Sequence, residues 1–262
     1  MSRVLRYAGA SNANLAANAA HAHAASYALS VHASEAVYSF IPKNACSTLR
    51  YSLAIANGVI EGPSQFNWIH ANNNTFRASL AELARARYAF VVLRDPFLRL
   101  ASCFLDKIVE QTPVAFKLHA LMNYASSPHD LTFRTFVAEL HSHLNDDEHW
   151  RPQIDYLVYK AYDDVFAFED FPRVVSRLKE KIGFVVHDAR ALTKHGTDQY
   201  RPIKGDACVA DLSAFDLLRL KRGGKSPQLR NFYDSALIDA VRRLFAEDLQ
   251  IYRACCGRET AF

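Results

Sequence analysis

The sequence predicts an α/β protein, a parallel β-sheet flanked by helices, and three observations carry that expectation. Residues 36–41, 88–93 and 165–169 are short runs dense in β-branched and aromatic side chains, and they read as buried strands. Each run leads into a stretch with apolar residues at helical spacing. Strand and helix therefore alternate, the pattern of parallel strands joined by crossover helices. No internal repeat and no low-complexity linker divides the chain. Residues 35–262 are thus expected to form a single domain behind an Ala-rich, poorly specified segment, residues 1–34.

The elements follow in order. The first strand runs into a Pro42-Lys43 turn and a helix from about Ser47 to Asn57, with Gly58 placed to stop it. The second strand, "YAFVVL", leads into "RDPFLRLASCFLDKI", where Asp95 suits the N-cap and Pro96 the first helical position. Phe97, Leu100, Ala101, Phe104, Leu105 and Ile108 form the core face of that helix. Residues 111–131 read as irregular. Phe133, Phe136, Val137, Leu140 and Leu144 define a further amphipathic helix. The third strand enters a helix with Phe171, Val174, Val175, Leu178 and Ile182 on one face, stopped by Gly183. A basic stretch of little periodicity, about 190–230, precedes a closing helix from about Ser235 to Tyr252.

Composition narrows the class. Half of the 262 residues are hydrophobic and 22% are charged, an ordinary soluble mixture. The net charge of +4 favours anionic ligands but is too small to point to nucleic acid. Five cysteines without a CxxC pair suggest neither zinc nor a redox motif, and a reduced, cytoplasmic chain is expected. The first residues lack the apolar core of a signal peptide, and no run of about 18 apolar residues suggests membrane insertion.

The chemistry concentrates at two strand ends. In a parallel sheet the loops after the strands share one edge, where ligands bind. Residues 42–48 and 94–96 both lie at such ends, and each opens a helix whose first amides favour negative charge. Lys43 adds a cation, Ser47 and Thr48 add hydroxyls, and Arg94 adds a fork of donors suited to phosphate. Ser102 lies about two helical turns beyond Arg94. Two such cradles suit a ligand with two separated phosphate-like groups. The loop lacks GxxxxGK[ST], which disfavours ATP or GTP bound in the usual way.

"IPKNACSTLR" resembles the 5′-phosphosulfate-binding loop of sulfotransferases that use 3′-phosphoadenosine 5′-phosphosulfate (PAPS), and "RDPFLRLASCF" is similar to their 3′-phosphate motif. The flavour is that of the carbohydrate branch, which includes the chondroitin and dermatan enzymes. That branch continues with a His-Trp-x-Pro segment, here "HWRPQ" at 149–153, and a strand ending in Phe-Glu, here "FAFEDF" at 166–171. The closing "LIDAVRRLFAEDLQIY" is also similar. The resemblance implies a phosphate-loop-like sulfotransferase fold and transfer of a sulfuryl group to an acceptor hydroxyl, most naturally on a carbohydrate, with no metal. It implies that Lys43 contacts the bridging and sulfuryl oxygens of PAPS. The amides of Asn44, Ala45, Cys46, Ser47 and Thr48, with the Ser47 and Thr48 hydroxyls, would hold the 5′-phosphate. Arg94 and Ser102 would hold the 3′-phosphate.

An acceptor hydroxyl must lose its proton, so a base is required. His70, in "NWIHANN", is the first candidate, followed by His149 and Glu169. Arg99 reads equally as a site residue or a structural ion-pair former. His141 and His143 stand at i, i+2 and point to different helix faces, so they read as solvated rather than metal-binding. The basic run at 221–225, "KRGGK", reads either as a solvated loop or as a lid hinged on its two glycines. Trp68, Tyr124 and Trp150 are either sugar-stacking or core residues. Two other functions remain open: a phosphate-loop kinase with a degenerate loop, and a non-catalytic polysaccharide-binding module that keeps the nucleotide pocket.

Overall fold

The computed structural model describes residues 3–10, 12, 14–72, 74–122, 127–193, 200–203, 205 and 207–262. Along the chain run α1 (Ala19–Ser26), β1 (Ala28–Val31), β2 (Ala36–Ser39), α2 (Cys46–Ala56), α3 (Trp68–Ala71), α4 (Leu80–Arg85), β3 (Tyr88–Leu93) and α5 (Pro96–Cys103). A π-helical turn, Phe104–Ile108, extends α5. Then follow α6 (Pro113–Leu121), α7 (Phe133–His143), β4 (Asp164–Ala167), α8 (Phe171–Ile182), β5 (Arg201–Pro202), α9 (Ala214–Arg222), β6 (Lys225–Ser226), α10 (Ser235–Leu244) and α11 (Ala246–Cys256).

The fold is α/β, with a mixed sheet of order β1-β2-β3-β4. The three strands expected from the sequence are its parallel part: β2 pairs with β3 in register Ala36↔Tyr88, and β3 with β4 in register Phe90↔Asp164. The antiparallel strand β1 is an addition from within residues 1–34, too short at "ALSV" to show a pattern. Residues 76–78 cover its outer edge, through Ser30 N–H to Phe76 O and Ala78 N–H to Ala28 O, both 2.8 Å.

Contacts divide the chain into two compact units. The first holds Met1–Arg94, Gln153–Lys194 and Ala254–Arg258, and the second Asp95–Pro152, His195–Arg253 and Glu259–Phe262. The core of the first unit gathers around the sheet. All six residues of β3 are buried, and Tyr38 stacks on Phe90 with ring centroids 4.9 Å apart. Burying each large apolar side chain of this kind stabilises the fold by about 1.5–3 kcal/mol. The second unit is mainly helical, packed on Phe97, Phe104, Phe133, Phe136, Trp150 and Phe232.

Three helical expectations change. Residues 111–131, expected to be irregular, contain α6, which starts with Pro113 at a favourable first position. Its apolar residues lie on both faces: Ala115 and Leu118 are buried while Phe116 and Leu121 are exposed, so no period marks it. The basic stretch contains α9. The closing helix divides at Phe245, a buried side chain whose backbone leaves the helical region (φ −119°, ψ 32°).

Candidate anion-binding site

After β2, Phe40 and Ile41 remain buried, and the chain then turns through Pro42, Lys43, Asn44 and Ala45 into α2. Lys43 (φ +73°) and Ala45 (φ +57°) are both left-handed without being glycine. Each such residue costs about 1–2 kcal/mol. Left-handed residues in a short loop turn successive backbone N–H groups toward one side, forming a concavity that suits an anion. Ala45 is also the N-cap of α2, and it has no side-chain oxygen to cap the helix. The first-turn N–H groups of Cys46, Ser47 and Thr48 lack intrahelical acceptors and stand at the positive end of the helix. Thr48 is buried; Lys43, Cys46 and Ser47 are half-buried.

The loop is anchored from behind. Asn44 is fully buried, and its Nδ2 donates to Val92 O at 2.9 Å and to Gln153 Oε1 at 2.6 Å. Its side chain is therefore an anchor, and its backbone N–H, which the sequence assigned to the phosphate, donates instead to Ile41 O at 3.2 Å. Gln153 Oε1 also accepts from Arg94 N at 3.0 Å, and Gln153 Nε2 donates to Arg94 O at 2.9 Å. Arg94, 9% exposed, returns to the loop: its Nη1 donates to Lys43 O at 2.9 Å, and its guanidinium carbon lies 4.4 Å from the centre of the Phe168 ring. The structure thus brings Lys43, Asn44 and Arg94 together. Gln153 and Phe168 complete the arrangement and were not singled out from the sequence, although they lie in the "HWRPQ" and "FAFEDF" segments.

His70 lies on α3, which Arg50 of α2 holds through a hydrogen bond to Ile69 O. The His70 side chain is exposed and packs edge-on against Phe66 with ring centroids 5.6 Å apart. Glu169 sits in the 3-10 turn Phe168–Asp170. Burial, then Cys255 and then the Glu169 charge push the Cys256 thiol up to about 12.

The remaining candidates, Trp68 apart, belong to the second unit. Asp95 caps α5 as expected, with Oδ1 accepting from Phe97 N at 2.9 Å and Leu98 N at 3.1 Å. Ser102 is half-buried on α5. Arg99, 2% exposed, donates from Nη1 to Arg151 O at 2.9 Å. His149 is oriented by Asp147, whose Oδ1 lies 2.6 Å from His149 Nδ1 and 3.0 Å from its backbone N. Burial alone would push the Asp147 carboxyl up, yet the ring and amide of His149 bring it below its usual range. Trp150, 1% exposed, is a core residue that donates from Nε1 to His143 O at 2.9 Å. Trp68 is half-buried against Phe76, and Tyr124 lies outside the described residues. In the basic run, Lys221 is neither solvated nor loose: it lies in the last turn of α9, pairs with Glu110 and lies 5.3 Å from the centre of the Tyr200 ring.

Fold and loop together define an α/β protein in which parallel strands lead into a loop with two left-handed residues and a helix start that lacks a side-chain cap. The model of the sulfotransferase family matches residues 31–253, and the chain belongs to that family. No curated protein and no solved structure matches it significantly. Membership makes it a transferase of sulfuryl groups, and the family implies a hydroxyl-bearing acceptor. Among the described residues no helix is long and apolar enough to cross a membrane.

Proposed function

We propose that this sulfotransferase uses PAPS and transfers its sulfuryl group to a hydroxyl of a carbohydrate. The observation that carries the reading is the loop of residues 42–48. Two left-handed residues and an uncapped helix start offer amides to an anion, and Arg94 is bonded to the same loop. These groups suit a 5′-phosphosulfate, and the loop lacks the glycines that wrap a triphosphate. When bound, PAPS supplies the sulfuryl group and a stable leaving group, adenosine 3′,5′-bisphosphate.

Lys43 and the amides of Ala45, Cys46, Ser47 and Thr48 counter the negative charge that grows on the bridging oxygen during in-line displacement, while the Asn44 amide closes the turn on Ile41 O. The Ser47 and Thr48 hydroxyls add hydrogen bonds. Arg94 holds the 3′-phosphate through its guanidinium, whose plane Phe168 and the Lys43 carbonyl restrain. By motif rather than by geometry, Ser102 is assigned to the same phosphate. His70 is proposed to take the acceptor's proton. His149 is the second candidate, favoured by the Asp147 carboxylate on its Nδ1, which orients a histidine for proton transfer. An odd number of widely spaced cysteines without a CxxC pair suits a reducing compartment, proposed to be the cytoplasm.

Calorimetric titration with adenosine 3′,5′-bisphosphate, beside ADP and Mg-ATP, tests the cofactor. Selective binding of the bisphosphate is expected; preference for Mg-ATP would install the kinase instead. Sulfuryl transfer to polysaccharide hydroxyls then tests the acceptor, and bisphosphate binding with no transfer to any saccharide would favour the non-catalytic module.

A further inference from the structure

We propose that Gln153 is a positioning residue for the anion loop, a buried amide that keeps the two left-handed residues and the end of β3 in a single conformation. Gln153 is fully buried. Its Oε1 accepts from Asn44 Nδ2 at 2.6 Å and from Arg94 N at 3.0 Å, and its Nε2 donates to Arg94 O at 2.9 Å. These partners fix the orientation of the amide, because a flipped amide would set oxygen against the Arg94 carbonyl and N–H against two donors. Glutamine is the side chain of this length that both accepts twice and donates.

The bonds form a closed circuit. Gln153 holds Asn44, which lies between the two left-handed residues. It also holds the backbone of Arg94, and Arg94 Nη1 donates to Lys43 O, one peptide from Asn44. Strained loop residues persist only where their surroundings over-determine them. Asn44 Nδ2 to Val92 O at 2.9 Å adds a second tie to β3. Loosening Gln153 therefore frees Lys43 and Arg94 together. The effect on catalysis rests on the function proposed above, but the clamp itself does not.

The test compares Gln153→Met, which keeps the volume and removes the bonds, with Gln153→Glu, which keeps the acceptors and removes the donor. Asn44→Ala and the Asn44→Ala/Gln153→Met double variant complete the set. Amide hydrogen exchange in the ligand-free protein should accelerate about tenfold within residues 42–49 in Gln153→Met, with less change elsewhere in the first unit. Affinity for adenosine 3′,5′-bisphosphate should weaken about tenfold, Gln153→Glu should fall between, and the double variant should lose less than the two singles combined, because they share the Asn44–Gln153 bond. Unchanged loop exchange in a folded Gln153→Met, or acceleration spread evenly over the unit, overturns the clamp. If Gln153→Met does not fold, Gln153→Glu and Asn44→Ala decide on the same exchange readout. Failure of the unmodified protein to bind bisphosphate would count against the proposed cofactor, while the exchange result would still decide the role of Gln153.

Discussion

At the scale of single residues, the loop holds strain that a different residue would relieve. Ala45 sits at φ +57°, where glycine pays no steric penalty. Ala45→Gly is therefore expected to be neutral or to stabilise by up to about 1 kcal/mol in chemical denaturation; a loss above that would show that the alanine methyl is packed. Lys43 and Arg94 should separate kinetically. Arg94→Ala should weaken bisphosphate binding by about 10–100-fold, the range of one or two charge-assisted hydrogen bonds. Lys43→Ala should mainly lower kcat, by about 100-fold or more. Bisphosphate affinity in Arg94→Ala equal to that of the unmodified protein would remove the arginine from the site. That the two residues lie close together was legible in the sequence because each stands directly between a strand and a helix. Gln153 and Phe168 were not, because the bonds that give them meaning reach 59 residues back to Arg94 in the case of Gln153, and no local period announces such a partner.

At the scale of elements, the strands and helices that follow a period were legible, and those decided by packing were not. Tyr88–Leu93 is apolar throughout and lies where expected, and α8 ends at Gly183 in a left-handed cap. In contrast, α6 is apolar on both faces, and Phe245 leaves the helix to reach the core. The last turn of α9 holds another case that composition could not show. Lys221 is a cation at a helix C-terminus, and its ammonium is buried against Leu105 O at 3.4 Å, the Tyr200 ring and the Glu110 carboxylate. Glu110→Ala leaves that ammonium with less compensation and is expected to destabilise the protein by about 1–2 kcal/mol, less than a fully buried pair because Glu110 is partly exposed. Lys221→Met, an apolar replacement of similar length, should cost less. Denaturant midpoints check the ranking, and a larger loss in Lys221→Met would refute it.

At the scale of the whole molecule, stability depends on acid, and three carboxylates of the second unit contribute to that dependence. Hydrogen bonds from Arg134 hold the Asp211 and Asp234 carboxyls below their usual range, and hydrogen bonds from His149 outweigh burial to do the same for Asp147. In each case the folded group binds its proton less readily than the unfolded one. The stability they confer is therefore present above the ordinary carboxylate range and is lost as pH falls through the depressed values. Arg134→Ala should cost about 1 kcal/mol at neutral pH, since the pair with Asp211 is largely exposed. That difference should shrink as pH falls below about 4; a difference that stays constant across acid pH would assign it to packing. The family and the α/β class were legible because four short motifs stand in order along the chain, whereas the division into two compact units follows from long-range contacts that no motif records. The bond from Asn44 to Gln153 spans 109 residues, and it sets an order of events during synthesis. Both stretches that resemble cofactor motifs leave the ribosome well before residue 153 does. A chain halted or cleaved before that point would carry every residue of both motifs and still lack the amide that gives the loop its shape, so competence to bind would come late and all at once.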